Sequence, residues 1–146
     1  MDASLPLETT QEVRDRCLCL HLQRAARAVG RIFDEALRPV GLTNGQYSLL
    51  MALNRPQAPR LKDVAPLLAM DRTTLTAALK PLERRGYVVV RPDEEDRRSR
   101  RLLLTDAGRD VLKRAVPIWR ATHDLLDERL DDGGPETLRA LLRQVA

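Results

Sequence analysis

Three groups of residues in this 146-residue chain have types and spacings suited to chemistry. Arg72, Thr73, Thr76 and Lys80 recur at helical spacing, and short polar side chains near a helix N-terminus can hydrogen-bond base edges in the major groove of duplex DNA. Thr73, Thr74 and Thr76 fall within four residues although threonine is a mediocre helix former, and capping accounts for one of them at most. Arg97, Arg98 and Arg100 form a second group. Guanidinium binds phosphate through two parallel hydrogen bonds and is drawn to the negative potential of narrow minor grooves. They belong to a cluster with Arg84, Arg85, Arg91 and Arg101 that suggests a polyanion partner, although Asp93, Glu94, Glu95 and Asp96 lie inside it. The acidic run Asp93-Glu94-Glu95 is expected at the tip of a turn, where it opposes phosphate approach. The third group is Cys17, Cys19 and His21, which invites a metal or redox reading.

These groups need elements to hold them. Leu18, Leu22, Ala25, Val29, Ile32, Phe33 and Ala36 predict one helix over about 12–38, with Thr9 and Glu12 at capping-box spacing and Pro39 and Gly41 at its end. Thr43 with Gln46 opens a second helix whose face is Tyr47, Leu50, Met51 and Leu53. Residues 61–68 predict a short third helix, in which Pro66 is tolerable only within the first turn or so. After a turn at Ala69-Met70, Asp71 caps a fourth helix running to Arg85, with Leu75, Ala78, Leu79 and Leu82 inward and Gly86 just beyond it. Pro81 predicts a bend in its C-terminal half. Ala65 and Ala69 are the small residues expected where the third and fourth helices cross, which makes the pair a helix-turn-helix. Tyr87 to Arg91 reads as a strand, 92–97 as a turn and Leu102 to Leu104 as the return strand. Thr105 caps a long helix with the stripe Ala107, Val111, Ala115, Ile118, Thr122, Leu126 and Leu130, kinked at Pro117. A last helix follows Gly133-Gly134, begins at Pro135 and carries Leu138, Leu141, Leu142 and Val145.

Composition bounds the class. The length suits a single domain, and 43% apolar residues can build its core. The net charge is +4, and only Lys62, Lys80 and Lys113 among 25 basic residues are lysine. Arginine-favouring codons would give the same excess, so placement is the stronger signal. No apolar run approaches the roughly 18–20 residues of a membrane span, and the N-terminus lacks a secretory pattern. Two cysteines two apart cannot staple a fold. A cytoplasmic location without membrane contact is therefore expected. No phosphate loop, Gly-x-Ser-x-Gly or His-Glu-x-x-His occurs, and two histidines leave little for acid–base catalysis, so neither an enzyme nor a cofactor is expected. Cys17 and His21 share a helix face while Cys19 points elsewhere, so one chain offers two metal ligands where zinc takes three or four. A site shared across a dimer stays open.

From about Cys17 onward the chain resembles the MarR family of winged helix-turn-helix transcriptional regulators. The matching residues are Gly41-Leu42-Thr43 with Gln46-Tyr47, Met70 to Thr76, Leu82-Glu83-Arg84-Arg85-Gly86-Tyr87-Val88, Asp96-Arg97-Arg98, and Leu104-Thr105-Asp106-Ala107-Gly108. The resemblance implies a mainly α fold with a small β-hairpin wing. A DNA-binding lobe over about 43–104 would lie between dimerisation helices at about 12–38 and 106–146, all in one domain of residues 1–146. It implies double-stranded DNA as partner, with Arg72, Thr73, Thr74 and Thr76 at or near the major groove. Asp96 would orient the wing while Arg98 enters the minor groove. A homodimer is implied too, and agrees with apolar stripes too extensive for the small central unit to bury. Such a dimer would read a pseudopalindrome.

The resemblance further implies a repressor released by a small aromatic or anionic effector bound between the dimer helices and the DNA-binding lobe. Candidates are His21, Arg24, Met51, Trp119 and His123, for which core packing is the rival role. Peroxide-sensing OhrR-type members carry a reactive cysteine early in the first helix. Cys19 is the nearer match by offset from Gly41-Leu42-Thr43, and Cys17 the other candidate. The accompanying tyrosines are missing, with Gln23 and Phe33 in the comparable places. A helix starting near Thr9 would put both thiols beyond the reach of its dipole. A dimeric protein-interaction module without DNA binding is the remaining alternative.

Overall fold

The computed structural model describes residues 4–146. Its helices are α1 (Leu7–Arg16), α2 (Leu18–Leu37), α3 (Asn44–Leu53), α4 (Leu61–Leu67), α5 (Arg72–Arg84), α6 (Asp106–Asp127) and α7 (Gly134–Val145). An antiparallel hairpin, β1 (Val88–Pro92) and β2 (Arg100–Leu104), lies between α5 and α6. Helix α2 packs on α6, and α3 joins this frame to α4 and β2. The architecture is the expected mainly α winged helix-turn-helix.

The expected single first helix is two helices. The first starts at Leu7, so Thr9 lies inside it and caps nothing; Pro6 is the N-cap, without a side-chain bond. The chain breaks at Cys17, whose backbone is extended at φ −70° and ψ 102°. Cys17 N–H still donates to the Val13 carbonyl at 2.9 Å, while its Sγ accepts from Leu20 N–H at 3.4 Å and caps α2. No Gly or Pro marks this break, so hydrophobic spacing ran straight across it.

The lobe is built from local signals. Thr43 and Gln46 close their capping box at the start of α3. Pro66 lies in the second turn of α4 rather than the first, and α4 ends one residue later. The turn that follows is of Schellman type, with Met70 N–H bonded to Ala65 O and Ala69 N–H to Pro66 O. Ala69 occupies its left-handed position at φ +50° and is exposed, so it makes the turn instead of lining the helix crossing. Ala65 does pack against the core. Helix α5 continues past Pro81 to Arg84, and Gly86 follows at φ +72°. In the hairpin Val88 faces Leu104 and Pro92 faces Arg100. A short third edge, where Leu102 N–H donates to Pro59 O at 3.0 Å and Arg60 bridges Arg101, joins the linker before α4 to β2.

The core lies where these elements meet: Leu37, Leu50, Leu53, Val64, Leu75, Leu79, Leu82, Val88, Leu102, Val111 and Ala115 are buried. Ala107 is exposed, contrary to the predicted stripe; the inward residue of that turn is Gly108. Thr105 caps α6 by accepting from Gly108 N–H at 3.0 Å and donates to Gly86 O at 2.6 Å, which draws the helix start onto the residues just before β1. A Cβ on Gly108 would lie 2.4 Å from the Tyr87 carbonyl oxygen. Gly108→Ala should therefore lower stability by about 1–3 kcal/mol despite alanine's better helix propensity. Ala69→Gly, which relieves a left-handed alanine, should raise the melting temperature. Thermal unfolding of both variants checks the pair.

Candidate nucleic-acid interface

The start of α5 is shaped by Asp71. Its carboxylate accepts from Thr74 N–H at 2.7 Å and from Thr74 Oγ1 at 3.0 Å, and these bonds hold it below the usual aspartate pKa. The Thr74 hydroxyl is thereby committed to the cap. Leu75, Leu79 and Leu82 bury the underside of the helix, leaving Arg72, Thr73, Thr76 and Lys80 exposed on its outer face. Thr76 donates to Arg72 O at 2.8 Å, which commits its hydroxyl proton and leaves the oxygen able to accept. Among the described residues, the side chains of Arg72, Thr73 and Lys80 have no hydrogen bond or ion pair within the chain.

The wing is organised by two aspartates. Asp96 accepts from Arg98 N–H and Ser99 Oγ, both at 3.0 Å, and its carbonyl takes Ser99 N–H at 2.8 Å. This closes the loop and leaves the Arg97, Arg98 and Arg100 side chains exposed and unpaired among the described residues. Asp93 corrects the expected acidic tip: it is 3% exposed, folded in between Arg101 (Nε to Oδ1, 3.0 Å) and Arg60 (Nε to Oδ2, 2.8 Å). Glu95 also pairs with Arg60, at 3.1 Å. Asp93 and Glu95 are thus paired with arginine, while Glu94 stays exposed at the tip. The bond from Arg101 is the main cause holding the Asp93 carboxyl below its ordinary pKa, with burial opposing and the charges of Arg101 and Arg60 reinforcing.

Two arginines of the sequence cluster are structural. Arg101 also donates to Ala58 O at 2.8 Å. Arg85 donates to Gly41 O at 2.6 Å and lies over the Tyr87 ring at 4.7 Å. Arg60 stood outside every sequence motif. Its partner is 33 positions away, and no local pattern encodes that pairing.

The five effector candidates do not converge. Met51 and Trp119 line a groove of about 780 Å³ between α3, α4 and α6, with Tyr47, Leu68, Arg55 and Arg120. Tyr47 and Arg120 of this groove carry no sequence signal for it beyond the place of Tyr47 on the α3 face, and burial pushes the Tyr47 phenol pKa up. His123 packs on Trp119 at 4.6 Å and on Phe33 at 5.2 Å, 4.0 Å from Asp127. His21 and Arg24 lie apart, along a shallow groove of about 610 Å³ on α2 with Arg27 and Arg31.

The cysteines also change places relative to expectation. The break in the first helix puts Cys17 at the N-terminus of α2, whereas Cys19 is exposed and accepts from Gln23 Nε2 at 3.1 Å. His21 contacts Cys17 through the backbone carbonyl, at 2.8 Å from Nδ1. Among the described residues no group of three His, Cys, Asp or Glu is placed to hold a metal ion. Among the described residues no helix is long and apolar enough to cross a membrane.

Fold and surface together define a winged helix-turn-helix protein. The MarR family model matches residues 42–99. Over 97 residues the chain is 37% identical to the transcriptional activatory protein BadR of Rhodopseudomonas palustris, a match covering 64% of this chain and 55% of that one. An uncharacterised helix-turn-helix regulator of Bacillus subtilis, YybA, is 30% identical over 124 residues, covering 82% and 80%. The chain thus spans between about half and two thirds of the first curated relatives it matches, and more of others. Among solved structures, the repressor CouR bound to a DNA duplex superposes with a TM-score of 0.81 at 33% identity, covering 92% of this chain and 94% of that one. The Mycobacterium tuberculosis regulator MosR in complex with DNA superposes at 0.80 with 36% identity, covering 88% and 93%. The chain belongs to the MarR family.

A folded-state pKa below the unfolded one contributes stability above the unfolded value near pH 3.9, lost as pH falls through the folded value. Asp93→Asn should therefore be less stable than the wild type at neutral pH, with the gap narrowing below about pH 4. Urea unfolding at several pH values measures it.

Proposed function

We propose that this protein is a sequence-specific DNA-binding transcriptional regulator that acts as a homodimer. The observation that carries the reading is the coincidence, on one lobe, of an unpaired Arg72/Thr73/Lys80 face on α5 and an unpaired Arg97/Arg98/Arg100 wing. Thr76 adds an acceptor to the major-groove face, and Thr74 positions that face through Asp71. Asp96 orients the wing turn so that Arg98 can enter the minor groove. CouR and MosR, similar along most of their length, are both DNA-bound.

A second copy of the chain is the natural cover for the terminal helices. Neither α1 nor α7 buries a residue, and Leu7, Val13, Leu138, Leu141, Leu142 and Val145 are exposed. With α2, α6 and α7 interleaved across a two-fold axis, the recognition helices would meet half-sites about 10 bp apart. Repression, as in the repressor CouR, is the sense of regulation proposed, against activation as in the activatory protein BadR.

An aromatic, anionic effector suits the groove of Met51, Tyr47 and Trp119, where Arg55 and Arg120 supply positive charge. CouR from Rhodococcus jostii, 26% identical to this chain, has been solved bound to p-coumaroyl-CoA, and 6-hydroxynicotinic acid regulates DNA binding by Bordetella bronchiseptica BpsR. Such a ligand would act by binding better to a dimer whose recognition helices miss the half-site separation. A second reading keeps the fold and changes the trigger. Cys17, an N-cap thiol receiving an N–H bond, would be oxidised by a peroxide to the sulfenic acid. A peroxide response that survives Cys17→Ser and Cys19→Ser removes it.

Arg98→Ala should weaken binding to a genomic duplex by about 5- to 100-fold and lower the salt dependence, with the dimer intact. Thr73→Ala should relax sequence preference more than Arg98→Ala does. Mobility shifts over a salt series and operator variants measure both; unchanged binding in Arg98→Ala refutes the wing assignment. Binding insensitive to salt would instead favour a protein-interaction module. Trp119 is the sole tryptophan, so titration with aromatic acids and acyl-CoA thioesters should change its emission over the range that releases DNA.

A further inference from the structure

Residues 94–98, the outermost part of the wing, are all exposed, so no apolar side chain anchors this stretch to the lobe. Asp96 and Ser99 close the loop on itself and do not tie it to the body. A two-stranded ribbon is marginal on its own, and the backbone tie to the body here is the short third edge along β2, through Leu102 N–H to Pro59 O and the Arg60–Arg101 bridge. At its root, however, lies the one buried carboxylate among the described residues, Asp93, facing two guanidiniums from different segments. Arg101 belongs to β2. Arg60 is the N-cap of α4, where its N–H donates to Asp63 Oδ2 at 3.2 Å, and α4 packs directly on α5. A continuous path of contacts therefore joins the wing root to the recognition helix: Asp93, Arg60, α4, α5.

Stability alone does not call for such a cluster, since apolar side chains of similar volume serve a buried site as well or better. Its distinguishing property is placement. Asp93 is hydrogen-bonded to Arg101 at 3.0 Å and lies 2.8 Å from Arg60 as a charge pair, so the buried carboxylate is compensated by both at one setting of the hairpin; swinging the wing away uncovers buried charge. The Arg60 contact is an ion pair at an angle outside hydrogen-bond geometry, and Glu95 braces the same guanidinium from the loop.

We propose that Asp93, with Arg60 and Arg101, is a positioning latch that sets the wing against α5, so that Arg98 reaches the minor groove flanking the half-site whose major groove Arg72 and Thr73 read. The proposal rests on the DNA-binding reading above. Asp93 touches no DNA; it acts through Arg98.

The test uses the full chain and a duplex enriched by the wild type from a randomised pool, with hydroxyl-radical footprinting and a double-mutant cycle. Asp93→Asn should lose minor-groove protection beside each half-site, keep major-groove methylation interference, and bind about ten-fold more weakly. Arg98→Ala should lose a similar factor. The double variant should be about ten-fold weaker, not a hundred-fold, because both changes remove one contact. Arg101→Gln, altering a partly exposed member, should show the same pattern and serves if Asp93→Asn folds poorly. Multiplicative losses, or minor-groove protection intact in Asp93→Asn and Arg101→Gln, overturn the latch and leave DNA binding standing. A wild type that enriches no duplex overturns the DNA reading, and the latch with it.

Discussion

The burial of Leu75, Leu79 and Leu82 against Leu53, Val64 and Val88 governs the orientation of everything that faces outward. Each such leucine contributes about 1.5–3 kcal/mol when fully buried, whereas a typical hydrogen bond nets about 1 kcal/mol. Rotating α5 to bring Thr73 inward would expose all three leucines for little return. The exposure of Arg72, Thr73, Thr76 and Lys80 is thus imposed from beneath. A face shaped in this way can carry any polar residues without cost to the fold, which frees it to be selected for recognition.

Charge on this molecule is sorted by pairing more than by count. Arg60 and Arg101 are partly buried and Arg85 lies along the surface, and the three tie the linker, the wing root and the loop after α2 to their neighbours. Arg72, Arg97, Arg98 and Arg100 are left without partners among the described residues. The first set ties separate segments of the lobe together, and the second leaves uncompensated positive charge on its surface. The net charge of +4 understates that local contrast, because it averages the two sets with 21 acids spread over the chain.

The frame of α2 and α6 and the lobe meet at a chain of rings. Phe33 of α2, His123 and Trp119 of α6, and Tyr47 of α3 are in successive contact. The groove containing Trp119 and Met51 opens at this junction and also touches α4 through Leu67 and Leu68. An occupant would bear on the frame and on the first helix of the helix-turn-helix together, which is the arrangement a ligand needs to favour one disposition of the lobe over another.

Local chemistry was legible in the order of residues. The Thr43 capping box, the Asp71 and Thr105 caps, the Gly86 stop and the leucine periodicity of α5 each depend on neighbours within a few positions, and each is where the pattern placed it; the hairpin is present too, with its strands shifted to Val88–Pro92 and Arg100–Leu104. Where sequence reasoning went astray, the deciding contact was either unmarked or distant. The break at Cys17 carries no Gly or Pro, and the inward turn of Gly108 is set by the Tyr87 carbonyl. Asp93 read as an exposed acid because its neighbours are acids, yet Arg60 waits 33 residues earlier and draws it under the surface. Periodicity and capping are short-range effects and can be read from a string of letters. The neutralisation of a charge, or the closeness of a backbone oxygen, depends on which distant segments the packed core brings side by side.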